Sequence, residues 1–169
     1  MNVFPRTGLA VLAALLLAGN AAAAPRIAVL NFELNDITSL PNTADEQRRT
    51  ATFAPLLSQQ LKTLGAYELV DIPVAAQTAA NPSLGYLFNF YGLAAQLGQQ
   101  YGADWVIIGQ HSKPSFLFSY FMAEVVEVKQ QKLIGSFAIE LKGTHEKVTQ
   151  RGVKNLAQRI VELLGRDGG

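Results

Sequence analysis

The sequence has no cysteine. That excludes disulfides, thiol nucleophiles and thiolate metal ligands. It has only two histidines, His111 and His145, and they lack the H-x-x-x-H spacing of a compact metal site. No charge of one sign dominates. The formal charge is +1, and it falls to zero if Arg6 is removed with the leader. A nucleic-acid partner requires a clustered positive field, and none is present. The glycines form no phosphate loop, because "GQQYGAD" and "SLGYLFNFYG" fit neither G-x-x-x-x-G-K-[ST] nor G-x-G-x-x-G after a strand. Internal repeats and low-complexity segments are also absent beyond the leader.

What the chain does have begins with export. Arg6 precedes one apolar run, "GLAVLAALLLAG", and small residues follow in "NAAAAP". A basic start, a short apolar stretch and an A-x-A exit make a secretory signal peptide. The run is well short of the ~20 residues of a membrane span, so cleavage after Ala23 is expected. No cysteine follows it, which closes the lipoprotein route. Residues 24–169 are then one domain, periplasmic or secreted, with no transmembrane span.

Hydrophobic period predicts the elements. "RIAVLNFEL" from Arg26 reads as one strand, apolar on both faces and therefore covered on both sides. A helix is expected over residues 43–64, with Thr43 and Glu46 as a capping box and Phe53, Leu56, Leu57, Leu61 and Leu64 as its apolar stripe. "AYELVDI" is a short strand ended by Pro73. Residues 73–86 hold one helical turn and a loop, and residues 87–101 form a second helix. "DWVIIGQ" is a dense apolar strand, and "QHSKPS" marks its exit. Residues 116–128 and 132–142 make a hairpin about "KQQK". Thr144 caps a last helix, in which Val153, Leu156, Ala157, Ile160 and Leu164 share a face and Gly165 is the stop. The order β-α-β-α-β-β-β-α predicts an α/β (α+β) domain: a single mixed sheet of about five strands with helices packed on it.

"RIAVLNFEL" after a signal peptide, "LLSQQLKTLGAYELVD", "AAQLGQQYGADWVIIG" and the closing hairpin resemble one family of small secreted bacterial proteins, a domain of unknown function. Arg151-Gly152 and the acidic turn "FELNDIT" fit its pattern. The layout is similar to the amino-terminal domain of the Tol translocation protein B and to the periplasmic domain of the curli channel CsgG. The turn "KQQK" departs from the family's D-x-x-T-G type, and the cysteines of some members are missing. The resemblance implies export and a binding or assembly role, with no catalytic residues and no cofactor.

Candidate chemistry is sparse. His111, Ser112 and Lys113 invite a nucleophilic reading. Neighbours on a strand face opposite ways, however, so His111 and Ser112 cannot meet while His111 and Lys113 share a face. A metal set would have to draw on His111, His145, Met122, Glu33 and Asp36, without motif spacing. Glu124 and Glu127 point to opposite faces and make no carboxylate couple. No constellation fills the roles of an enzyme site. The aromatics are more distinctive: Phe116, Phe118 and Tyr120 share a strand face at period two, where they either pack a core or dock a partner.

The expectation is therefore a non-enzymatic binding or assembly module making protein–protein contacts at the envelope. Its contact residues would be the loop set Glu33, Asp36, His111 and Lys113 and the aromatics Phe116, Phe118 and Tyr120. The partner would be an envelope or periplasmic protein, with self-association included. The alternative is a small periplasmic ligand- or metal-binding protein.

Overall fold

The computed structural model describes residues 24–65, 67–143 and 146–167. The leader, Thr144 and His145 lie outside them. Among the described residues twelve elements follow one another: β1 (Arg26–Val29), β2 (Glu33–Asp36), α1 (Ala44–Ala51), α2 (Phe53–Leu64), β3 (Glu68–Val70), α3 (Val74–Ala80), α4 (Tyr86–Asn89), α5 (Tyr91–Gln100), β4 (Trp105–Lys113), β5 (Phe118–Glu127), β6 (Lys132–Lys142) and α6 (Glu146–Asp167). The strands form one mixed sheet in the order β3-β1-β4-β5-β6, with β2 also paired to β4. This is the α/β class expected, with six strands in place of about five.

The extra strand comes from a break in "RIAVLNFEL". β1 pairs in parallel with the first part of β4, up to Val29 opposite Ile107, and β2 resumes with Glu33 opposite Gln110. Leu30, Asn31 and Phe32 thus lie against only Ile108 and Gly109. One surplus residue reverses the side-chain alternation, as a bulge does. Phe32 joins Ile27 and Val29 on one face instead of following Ala28 and Leu30 on the other. Its ring covers Gly109, where an added Cβ would collide with it. Gln77 accepts the freed Asn31 N–H at 2.8 Å.

The helix expected over 43–64 is also divided. Pro55 has no N–H to return to Ala51, so the ladder lapses and α2 starts afresh after Thr52. The helix expected over 87–101 breaks at Phe90, whose φ of −120° and ψ of 58° leave the helical region. Gly165 is not a stop, since α6 continues to Asp167.

Helices cover both faces. The α1, α2 and α6 side buries Phe53, Leu57, Leu61, Leu156 and Ile160 against Ile27, Ile107, Phe121 and Val125. Phe53 and Phe121 meet edge to face at 4.0 Å, a contact of about 1 kcal/mol beyond area burial. The other side packs Leu87, Ala94 and Leu97 on Ala28, Val106, Ile108 and Val126. Among the described residues no helix is long and apolar enough to cross a membrane.

Candidate functional site

β4 runs on through the segment read as its exit. Leu34 flanks His111 on one side and Phe121 on the other, so "QHSK" lies in the middle of the sheet. Alternation aims His111 and Lys113 at α1. That helix is almost wholly polar, and it buries Glu46 and Thr50. The two are four residues apart and continue the stripe of Phe53, Leu57 and Leu61. Polar side chains from two elements therefore meet where a core would otherwise close.

They meet as charges within 4 Å of one another, although Glu46 Oε2 has no hydrogen-bond partner. Lys113 Nζ lies 3.2 Å from Glu46 Oε1 and 3.7 Å from Asp36 Oδ2. Arg49 Nη1 lies 3.6 Å from Glu46 Oε2, while its other nitrogens donate to Thr149 Oγ1 and the Gly143 carbonyl. Asp36 accepts from the Thr38 amide, the Thr38 hydroxyl and the Asn42 amide. Burial alone would raise its carboxyl pKa, but Thr38, Asn42 and Lys113 outweigh burial and hold it below the usual value.

His111 is fully buried. Its Nδ1 stands 2.7 Å from Thr50 Oγ1 and its Nε2 3.0 Å from Ser119 Oγ. The single Thr50 proton is directed at the Glu46 carbonyl, so Nδ1 carries the ring proton and Nε2 accepts from Ser119. Burial, reinforced by Arg49 and Lys113 against the pull of Glu46 and Asp36, lowers the His111 pKa to about 4. The ring is neutral at physiological pH.

Ser119 beside a histidine has the layout of an activated nucleophile. Two features count against that chemistry. A base with a pKa near 4 is weak at neutral pH. The cavity beside Ser119 and Lys113 is about 10 Å³, room for about one water and no substrate. The network fastens loops instead. Asp36 closes the 37–42 loop through the Asn42 amide, and Ile37 N donates to the Lys113 carbonyl. Lys113 Nζ also lies 5.5 Å from the Phe116 ring centroid.

The 37–42 loop and the 114–117 segment that follows Lys113 each expose two large apolar side chains. Ile37 is 72% exposed, Leu40 66%, Phe116 54% and Leu117 79%. Below them Phe118 and Tyr120 share a half-buried sheet face, their rings 5.8 Å apart, and neither joins a core cluster.

The loop set offered by the sequence is thus redistributed. Asp36, His111 and Lys113 converge, and all three side chains are buried beneath the surface. Glu33 faces the other layer and accepts from Gly85 N at 3.0 Å. Glu46, Arg49, Thr50, Ser119 and Thr149 were not foreseen. The polar continuation of the α1 stripe was the one available signal. Among the described residues no three His, Asp or Glu converge as a metal site, and His145 lies outside them.

Residues 25–161 match the model of a family, DUF3280, described as "Protein of unknown function (DUF2380)". The chain belongs to that family. Curated proteins give no match. Among solved structures, it is similar to PelC from a Paraburkholderia phytofirmans dodecamer, with a TM-score of 0.52 and 13% identity over 83% of this chain and 87% of PelC. It is similar to TolB from Acinetobacter baumannii at a TM-score of 0.51 and 15% identity over 83% of this chain, but it spans only 28% of TolB. The LpoB C-terminal domain from Salmonella enterica is 19% identical over 74% of this chain and 87% of that domain, with a TM-score of 0.46. At these identities the likeness is one of fold.

Proposed function

We propose that residues 24–169, freed from an export leader ending at Ala23, form a non-enzymatic periplasmic assembly module. Its contact surface is the apolar rim of Ile37, Leu40, Phe116 and Leu117, continued by Phe118 and Tyr120. The partner is a second copy of the chain.

The carrying observation is the pairing of opposites at one end of the sheet. Four large apolar side chains stand more than half exposed on loops that a buried ionic network anchors. Apolar side chains in contact with water gain from being covered, and loops already fixed lose less entropy on docking. The fold shared with a dodecameric PelC supports a copy of itself as the occupant. The neutral, enclosed His111 and the cavity of about 10 Å³ support a role without turnover.

Light scattering of residues 24–169 tests this. Wild type is expected above monomer mass at micromolar concentration, and Leu117→Asp at monomer mass with an unchanged circular dichroism spectrum. A wild-type monomer at all concentrations, or an oligomer indifferent to Leu117→Asp, would overturn it.

A further inference from the structure

We propose that a cavity of about 680 Å³ at the opposite end of the sheet, beside Trp105, binds a neutral saccharide. Its volume is in the range of small-molecule sites. The floor is built by strand register. Trp105 pairs with Glu127, and Glu127 pairs with Lys132, so one row across β4, β5 and β6 presents an indole, a carboxylate and an ammonium to the same face. The indole is half-buried and fixed in plane by Tyr67, which meets it edge-on at 6.5 Å and 89°.

The rim carries Asp104 and Gln130. Asp104 Oδ2 accepts the Arg26 amide at 2.7 Å, and Glu127 Oε2 accepts the Gln130 amide at 2.7 Å. Each carboxylate is thereby positioned through one oxygen, which leaves the other for a ligand hydroxyl. The charges lining the cavity balance, Asp104 and Glu127 against Lys129 and Lys132. A balanced lining offers no net attraction to a phosphate, a polyanion or a polycation. It suits a ligand whose groups both donate and accept. A pyranose has such hydroxyls at its edge and an apolar C–H face that stacks on an indole. Neither the apolar rim nor the buried network contributes to this cavity, so the inference is independent of the assembly reading.

Trp105 is the only tryptophan, so the protein's indole emission reports on this cavity alone. Cellotriose, maltotriose and tri-N-acetylchitotriose are titrated into residues 24–169, with trigalacturonate and inorganic phosphate as charged probes. At least one neutral trisaccharide is expected to give a saturable emission change below about 10 mM, in keeping with weak binding by a small polar ligand. Glu127→Gln, whose amide oxygen can still accept from Gln130, should weaken that affinity roughly tenfold, the equivalent of one lost hydrogen bond to a charged group. Leu117→Asp should leave it unchanged. No saturable response to any neutral trisaccharide, an unaltered affinity in Glu127→Gln, or tighter binding of trigalacturonate or phosphate would overturn the proposal.

Discussion

His111 Nε2 and the Ser119 hydroxyl stand 3.0 Å apart, and among the described residues the cavity beside Ser119 is only about 10 Å³. Both are buried, and their contact ties β4 to β5. Ser119→Ala should therefore cost stability. The buried His111 nitrogen loses its hydroxyl donor, a penalty of about 1–3 kcal/mol. Urea denaturation checks this through the midpoint, with the slope unchanged.

Stability should depend on pH through His111. Its folded pKa is about 4, against an ordinary value of 6.5. Between those values the unfolded chain takes up a proton that the native ring refuses, so stability falls as pH drops from 6.5 towards 4 and is level above. The full loss is about 3 kcal/mol. Asp36, with its lowered pKa, contributes stability that is present above the ordinary Asp value and lost only as pH falls below it. Glu124 has its pKa raised by burial and tilts the other way as pH rises past the ordinary Glu value. Denaturation midpoints from pH 4 to 7 should slope for wild type and flatten for His111→Gln.

Lys113 is the cation shared by Asp36 and Glu46. Lys113→Met leaves Asp36 enclosed without a cation and Glu46 with Arg49 alone, and should cost about 3–5 kcal/mol. Adding Glu46→Gln should recover part of that loss, because the two sites are coupled. A thermodynamic cycle over the four proteins measures the coupling, and additive losses would count against the network.

Much of the fold was legible because its elements announce themselves at short range. The stripe of Val153, Leu156, Ala157 and Ile160 fixes α6, and dense apolar runs fix the start of β4. The β1–β2 break was not legible. It depends on Phe32 seating against Gly109, and nothing near residue 32 signals that distant contact. The α1–α2 break was legible in Pro55, a purely local cause. The site was legible by halves. Period two correctly put His111 and Lys113 on one face, but a polar tetrad at a strand end reads as solvent-facing. Only the three-dimensional placement of α1 turns it inward. Arg49 meets Thr149 across the chain through a contact no local pattern encodes.

The rim tests the account most directly. A benzophenone side chain placed at residue 117 of the purified 24–169 chain, and irradiated at micromolar concentration, should yield covalent adducts between two copies, with the crosslink mapping to the partner's surface. The same probe at exposed Gln59, on α2, should yield none. Equal adduct yields from both positions, or none from residue 117, would contradict the account.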